Sequence, residues 1–508
     1  MRKFSKYELN LSTSLLYKIA TCAIGILIPR LFILSYGSEV NGLQGSIAEF
    51  FIYITLIEAG VGSASVQALF GPIAQQDFKA ANGILSATTY FYNKIGLYYF
   101  MLLLALATLY PAFVHVGNLS YLTIFLYIFF AGAATGLNFF FQSKVILILR
   151  ANGDVYFENL FLLASFLLSS TIKIILILSE QSIVFIQLSY FLISLLVMFG
   201  YYLLVKKKYS WVNFHTTPNI AAISQKNSVL VHRISSLVFN NTDIILLTFI
   251  CGLKVVSLYT MYKMVINMVR ALIASFVDSF DYKLGQAFQT ETRAYYCKMV
   301  DSFNICYSIF SFALFTVASI LLLPFMRLYT DGMDMNYIFP LLPYLYVIIE
   351  ALQIGREAMT RTSIVAGHFK KTLNQAIIEM FINLGFTIGF MFLFKHIWNE
   401  TAGLYGALLG TISALAYRTF AMNAYSNHVI LERSVWETNK IMLVNFILYA
   451  LVSFVSVKVD WSFLSSYVHL IIAGAFLFII IFTFYVAVHS LTSYPIMKMV
   501  FIYVRKKI

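Results

Sequence analysis

An all-α polytopic membrane protein is the fold class this sequence predicts, and three observations carry the prediction. Of the 508 residues, 60% are hydrophobic and only 11% are charged. Ordinary soluble domains run at about 25% charged. The apolar residues also fall in long runs, many near the roughly 20 residues that a helix needs to cross the hydrocarbon core. Finally, runs such as 98–109 and 470–488 do not alternate apolar with polar residues. An outer-membrane barrel would show that alternation in strands of about 10 residues.

The spans are expected at roughly 12–36, 44–69, 92–113, 119–142, 155–178, 183–205, 228–250, 255–279, 302–324, 336–359, 375–394, 403–427, 440–457 and 464–490. Charge tests this count of about fourteen. With the N-terminus inside, the loops on that side carry Lys79, Lys144, Arg150, Lys206, Lys207, Lys208, Lys226, Lys283, Arg293, Lys298, Arg361, Lys370, Lys371, Arg433 and Lys440. The opposite loops hold only Lys254, Arg327, Lys395 and Lys458. Cytoplasmic loops of membrane proteins carry this excess of Lys and Arg. A multi-pass inner-membrane protein with both termini cytoplasmic is therefore expected.

The same topology accounts for the net charge of +13 without a nucleic-acid partner. The basic start (Arg2, Lys3, Lys6) leads into an apolar run from Leu11 to Leu34 with no small-residue cleavage site. It reads as a retained first span. Cys22, Cys251, Cys297 and Cys306 form no Cys-x-x-Cys pair and have no His at metal-site spacing. No disulfide framework, metal or other cofactor is expected from them. No loop is long enough for a soluble domain, so an enzyme would have to work from inside the bundle. A transporter is expected instead.

The longest basic connection divides the chain. We expect an N-terminal six-helix bundle over 1–205, a basic cytoplasmic linker over 206–227, a second six-helix bundle over 228–430, and two additional helices with a basic tail over 431–508. Gly37-Ser38-Glu39-Val40-Asn41-Gly42-Leu43 lines up with Gly252-Leu253-Lys254-Val255-Val256-Ser257-Leu258 at an offset of 215, from 37 to 252. Six spans per half give both copies one orientation. Many transporters are built this way, with the substrate between the halves near the midplane.

The stretch from Arg30 through Gly37, Glu39 and Gly42 resembles the first-hairpin pattern of Wzx-type oligosaccharide flippases, as does Ile57-Glu58-Ala59-Gly60-Val61-Gly62 in the second span. Asn240-Asn241-Thr242-Asp243 and Val256-Ser257-Leu258-Tyr259 look like the matching segment of the second half. That family belongs to the multidrug/oligosaccharidyl-lipid/polysaccharide exporter superfamily. The resemblance covers roughly residues 5–430 in layout. It implies two six-helix bundles in a V with two extra helices, and alternating access. It also implies an undecaprenyl-diphosphate-linked oligosaccharide as substrate, moved to the outer leaflet for O-antigen, capsule or a related polymer. A coupling ion, H+ or Na+, is implied too, alongside membrane lipids and the polymerase and other assembly proteins as partners. A multidrug cation antiporter and a lipid II flippase are alternatives within the superfamily.

Charged residues at membrane depth face a bundle interior or a wet cavity. A diphosphate calls for cations, arginine above all, because its planar fork matches phosphate oxygens. Arg30, after Pro29 in the first span, either snorkels to the interface or lines a cavity. Arg233, Asn240 and Asp243 share one face of the seventh span, as a bundle brace or as a cavity wall. The eighth span shows the sharpest stripe: Tyr259, Lys263, Asn267 and Arg270 recur at helical spacing. Arg30, Arg233, Tyr259, Lys263, Asn267 and Arg270 are the candidate substrate contacts. Glu58, Asp243, Glu350 and Glu379 are the candidate ion-coupling or structural acids, because a buried carboxyl can exchange protons. In the fourth span, Gly132 to Gly136 reads as a close helix-packing patch.

Overall fold

Helices account for all regular secondary structure among the described residues of the computed structural model, which are 5–58, 60–223, 237 and 241–498. The bilayer core offers no water to backbone N–H and C=O groups, and a helix satisfies its own. The helices are α1 (Lys6–Thr55), α2 (Val61–Ala74), α3 (Phe78–Phe113), α4 (Tyr121–Phe140), α5 (Gln142–Ala151), α6 (Val155–Leu178), α7 (Ile183–Lys208) and α8 (Asn241–Ile250). They continue with α9 (Leu253–Thr290), α10 (Arg293–Tyr329), α11 (Leu342–Val365), α12 (Phe369–Ile397), α13 (Gly403–Tyr425), α14 (Trp436–Val457) and α15 (Tyr467–Thr492). Among the described residues, nine helices are long and apolar enough to cross a membrane. Other helices are more polar: α11 carries Glu350, Arg356, Glu357 and Arg361. Exterior positions are apolar, as at Ile471 (71% exposed) and Phe476 (65% exposed) on α15.

The chain forms two compact units, residues 1–249 and 250–508. In the first, α3 packs on α4, α4 on α7, and α6 on both α1 and α7. The small-residue patch of α4 lies against α3, where a Cβ at Gly132 would meet Leu103 Cδ1 at 2.4 Å and one at Gly136 would meet Phe100 at 2.7 Å. In the second unit, α10 is the central helix and touches α9, α11, α14 and α15. Its inner residues Phe303, Phe312 and Phe315 are buried.

Local caps start the helices. Ser5 Oγ accepts from Glu8 N at 3.2 Å, and Ser5 N donates to Glu8 Oε2 at 2.8 Å, a reciprocal capping box. The side chains of Asp77, Ser120 and Ser466 accept backbone N–H bonds at the starts of α3, α4 and α15.

The internal repeat is visible in the backbone. Gly37 has φ 83° and ψ 170° where the continuous run of α1 breaks. Gly252 has φ 86° and ψ 169° at the start of α9. Only glycine takes this conformation without strain. One helix-ending turn recurs along the chain: residues 75–77, 152–154, 179–181 and 366–368 donate backbone bonds four, three and five residues back in turn.

The two copies differ in one respect. The helix after Gly252 runs unbroken to Thr290, whereas the one after Gly37 stops at Thr55. A 3-10 turn, Leu56–Glu58, and Gly60 at φ 97° then lead into α2. The expected uninterrupted span over 44–69 is corrected accordingly. At the offset of 215 this segment corresponds to residues 271–277, Ala-Leu-Ile-Ala-Ser-Phe-Val, with neither glycine nor acid.

A Cβ at Gly252 would meet no atom within 4 Å, so Gly252→Ala costs backbone strain alone. The expected loss is about 1–3 kcal/mol, read as a lowered melting temperature in detergent. An unchanged melt would show that this corner is not held in the described conformation.

Candidate functional site

The α9 stripe is the centre of the candidate site. Tyr259 is 5% exposed, and its ring centroid lies 6.0 Å from that of Tyr346 on α11. Tyr346 stacks at 7° on Tyr262 and donates from its hydroxyl to the Tyr259 carbonyl at 3.2 Å. One turn along α9, Lys263 Nζ stands 5.4 Å from the Tyr259 ring centroid, a cation–π placement. Tyr259 therefore supports Lys263 from inside the unit and offers no open stacking face. Asn267 is exposed.

Arg270 Nε donates to both oxygens of Glu350 at 2.8 Å, and its Nη2 also bonds Oε1. The Glu350 side chain is 4% exposed and the Arg270 side chain 36%. The pair thus joins a buried acid on α11 to a half-open cation on α9.

Glu379 occupies a different environment. Arg356 Nη1 donates to its Oε1 at 2.6 Å, and Arg418 Nε lies 3.5 Å from its Oε2. Arg418 Nη1 also bonds the Thr372 carbonyl and Gln375 Oε1, each at 3.1 Å. The cluster ties α11, α12 and α13 together. The polar stripe Gln375, Glu379, Asn383 and Thr387 is the α13-facing seam of α12, with Asn383 Nδ2 donating to Thr411 Oγ1 at 3.2 Å. Sequence reasoning missed Arg418. A lone arginine within an apolar span was the available signal.

In the first unit, Glu58 sits in the break between α1 and α2. Its Oε1 accepts from Gly62 N at 3.1 Å and from Tyr92 OH at 3.2 Å. The carboxylate thereby caps α2, whose N-terminus favours negative charge. A Cβ at Gly62 would lie 2.8 Å from that oxygen, so a side chain there would push the carboxylate aside. A cavity of about 530 Å³ opens beside it, lined by Glu58, Ser63, Gln67, Tyr92, Ser143 and Arg150 among others. Arg150 is engaged by Glu158 through bonds of 2.9 and 2.6 Å.

Of the remaining candidates, Arg30 is half-buried on α1 and Asp243 is buried on α8. Arg233 and Asn240 lie outside the described residues. One further cation within the spans, Lys173 on α6, was not singled out from sequence. Its Nζ donates to Gln44 Oε1 at 3.1 Å and stands 4.8 Å from the Phe32 ring centroid.

Asp154, at the turn before α6, gathers the ends of the first unit. Lys6 and Lys208 each reach it at 2.8 Å, and Tyr209 OH donates at 2.6 Å. The following loop docks on α3, where Asn82 bonds the Trp211 carbonyl and the Asn213 amide, each at 2.9 Å. Burial pushes the Asp154 carboxyl up, but Lys208, Lys6 and Tyr209 outweigh it and hold it below the usual carboxylate range.

Apolar exteriors, helical spans and charges paired inside the bundle define a polytopic membrane protein. Among the described residues no group of three or more His, Cys, Asp and Glu could hold a metal ion. No protein-family model matches the sequence, and no curated protein matches it. Solved structures do match. Lipid II flippase MurJ in an inward closed conformation aligns over 93% of this chain and 98% of that one, with a TM-score of 0.65 and 14% identity. An inward-facing multidrug resistance MATE transporter of the MOP superfamily aligns over 85% and 95%, at 0.59 and 15%. A point mutant of the Vibrio cholerae MATE transporter VcmN aligns over 84% and 99%, at 0.51 and 14%. The chain has the fold of these structures.

Two outcomes follow. Glu379→Ala leaves Arg356 and Arg418 together without their acid, and is expected to cost about 3–5 kcal/mol. Adding Arg356→Met should recover part of the melting temperature, and no difference between single and double variants would rule out the brace. Asp154 has a depressed folded pKa, so its contribution is complete above the ordinary aspartate pKa of about 4 and is lost as pH falls through the lower folded value. Wild type and Asp154→Asn should melt apart at neutral pH and converge in acid. Equal melts at neutral pH would remove the clamp.

Proposed function

We propose that this chain moves undecaprenyl-diphosphate-linked oligosaccharide repeat units from the cytoplasmic to the outer leaflet of a bacterial inner membrane by alternating access. The products would serve O-antigen, capsule or a related surface polysaccharide. The observation that carries the reading is the α9 face, where Lys263 and Arg270 stand at i and i+7 on a helix within the membrane-spanning unit. A diphosphate needs such cations, and arginine meets it with two parallel bonds. Lys263, Asn267 and Arg270 would contact the substrate, Tyr259 would position Lys263, and Arg30 and Arg233 would add further positive charge. The prenyl tail can stay in lipid.

An ion gradient would drive the cycle through a carboxylate. Glu58, beside a cavity, and Glu350, with a single arginine, suit that role better than Glu379, which two arginines hold. Asp243, buried on α8, is a further candidate. A lipid II flippase is the second reading, favoured by the fold likeness to MurJ, and it asks the same diphosphate chemistry of α9. A multidrug cation antiporter would call for an acidic site, which the two α9 cations oppose.

The test is polymer export in a strain that depends on this chain. Arg270→Ala and Lys263→Ala, at unchanged protein levels, should each lower export about tenfold, the equivalent of 1.4 kcal/mol. Normal export by both variants would sink the reading.

A further inference from the structure

We propose that Glu350 takes up a proton when the substrate's diphosphate arrives on Arg270, so that substrate loading is linked to protonation of a buried acid. The proposal rests on the flippase reading above and deepens the chemistry of that same site.

The geometry behind it is an unequal pair. Glu350 is buried on α11, and Arg270 is the partner with exposed surface. Both Glu350 oxygens already use the Arg270 fork. Carboxylate and phosphate are recognised by the same planar donors, so a diphosphate on Arg270 faces two outcomes. It displaces Glu350, which leaves a buried carboxylate without its counter-ion. Otherwise it shares the guanidinium, which sets two anions against each other. In both cases the buried carboxylate is destabilised relative to the carboxylic acid, and Glu350 accepts a proton from water. When the diphosphate leaves, Arg270 returns and the proton is released.

Among the described residues, the groups that face the pair are phenols, and the nearby charges are already in ion pairs. Around this pair are the phenols Tyr259 on α9, Tyr346 on α11 and Tyr307 on α10. Tyr449 on α14 faces Tyr344 on α11. The nearby charges on α11, α12 and α13 are mutually engaged, Glu357 with Arg361 and Glu379 with Arg356 and Arg418. Lys263 on α9, seven residues before Arg270, is a second cation on the same helix.

The experiment uses the full chain in nanodiscs, with undecaprenyl diphosphate as the probe. Binding that takes up a proton weakens about tenfold per unit rise in pH. Wild type should show that dependence between neutral and mildly alkaline pH, with matching proton uptake in weak buffer. Glu350→Gln should bind with little dependence and no uptake. Equal pH dependence in the two proteins overturns the assignment while leaving the flippase reading standing. Failure of wild type to bind the diphosphate overturns both. Infrared spectroscopy gives a probe-free arm. Arg270→Gln should show a carboxylic-acid C=O band that is absent from wild type and from Arg270→Gln/Glu350→Gln. Without that band, loss of the arginine does not protonate Glu350, and the proposal fails even where the diphosphate binds.

Discussion

A charge drawn into a lipid-facing bundle must bring its counter-charge with it, and the second unit is built around this constraint. Arg270 meets Glu350, Arg356 and Arg418 share Glu379, and Arg433 holds Asp301 through two bonds of 2.7 Å while its Nε reaches Asn427. Each link joins different elements, so each fixes how helices sit as well as neutralising charge. Breaking such a pair costs more than its net stabilising effect, because the survivor is left buried and alone. The pairs differ in balance. Glu379 has two arginines and is locked, whereas Glu350 has one, and that one is half-open.

The repeat shows the same constraint applied to backbone. The corner at Gly37 recurs with matching angles at Gly252, yet only the first half interrupts its second span. There the break, Glu58 and the cavity occur together. A broken helix is tolerated at membrane depth where protein or water satisfies the freed groups, and Glu58 supplies one such partner by accepting from Gly62 N.

Much of this was legible in the sequence. The apolar runs gave the helices, and the Gly37/Gly252 alignment picked out two corners with the same backbone angles. The α9 stripe was visible as helical spacing. What spacing could not supply was the partner across the gap. Arg270 and Glu350 are 80 residues apart, and Arg418 lies 46 from the Thr372 carbonyl it bonds. Periodicity reports which face a residue occupies and is silent on what stands opposite. It also hid the burial of Tyr259, and it read residues 44–69 as one apolar run because a single turn of altered backbone barely disturbs hydropathy.

The position of α10 has a consequence for the order in which this protein is made. Its walls are shared between helices synthesised near it and helices synthesised long afterwards. Thr316 meets the Tyr485 hydroxyl at 3.2 Å, Phe312 packs on Phe446 and Tyr485, and Asp301 waits for Arg433. Before α14 and α15 are made, this side of α10 lacks these contacts. These last two helices thus act as the closing step of assembly. The helices of the first unit can settle against one another while the second is still being translated.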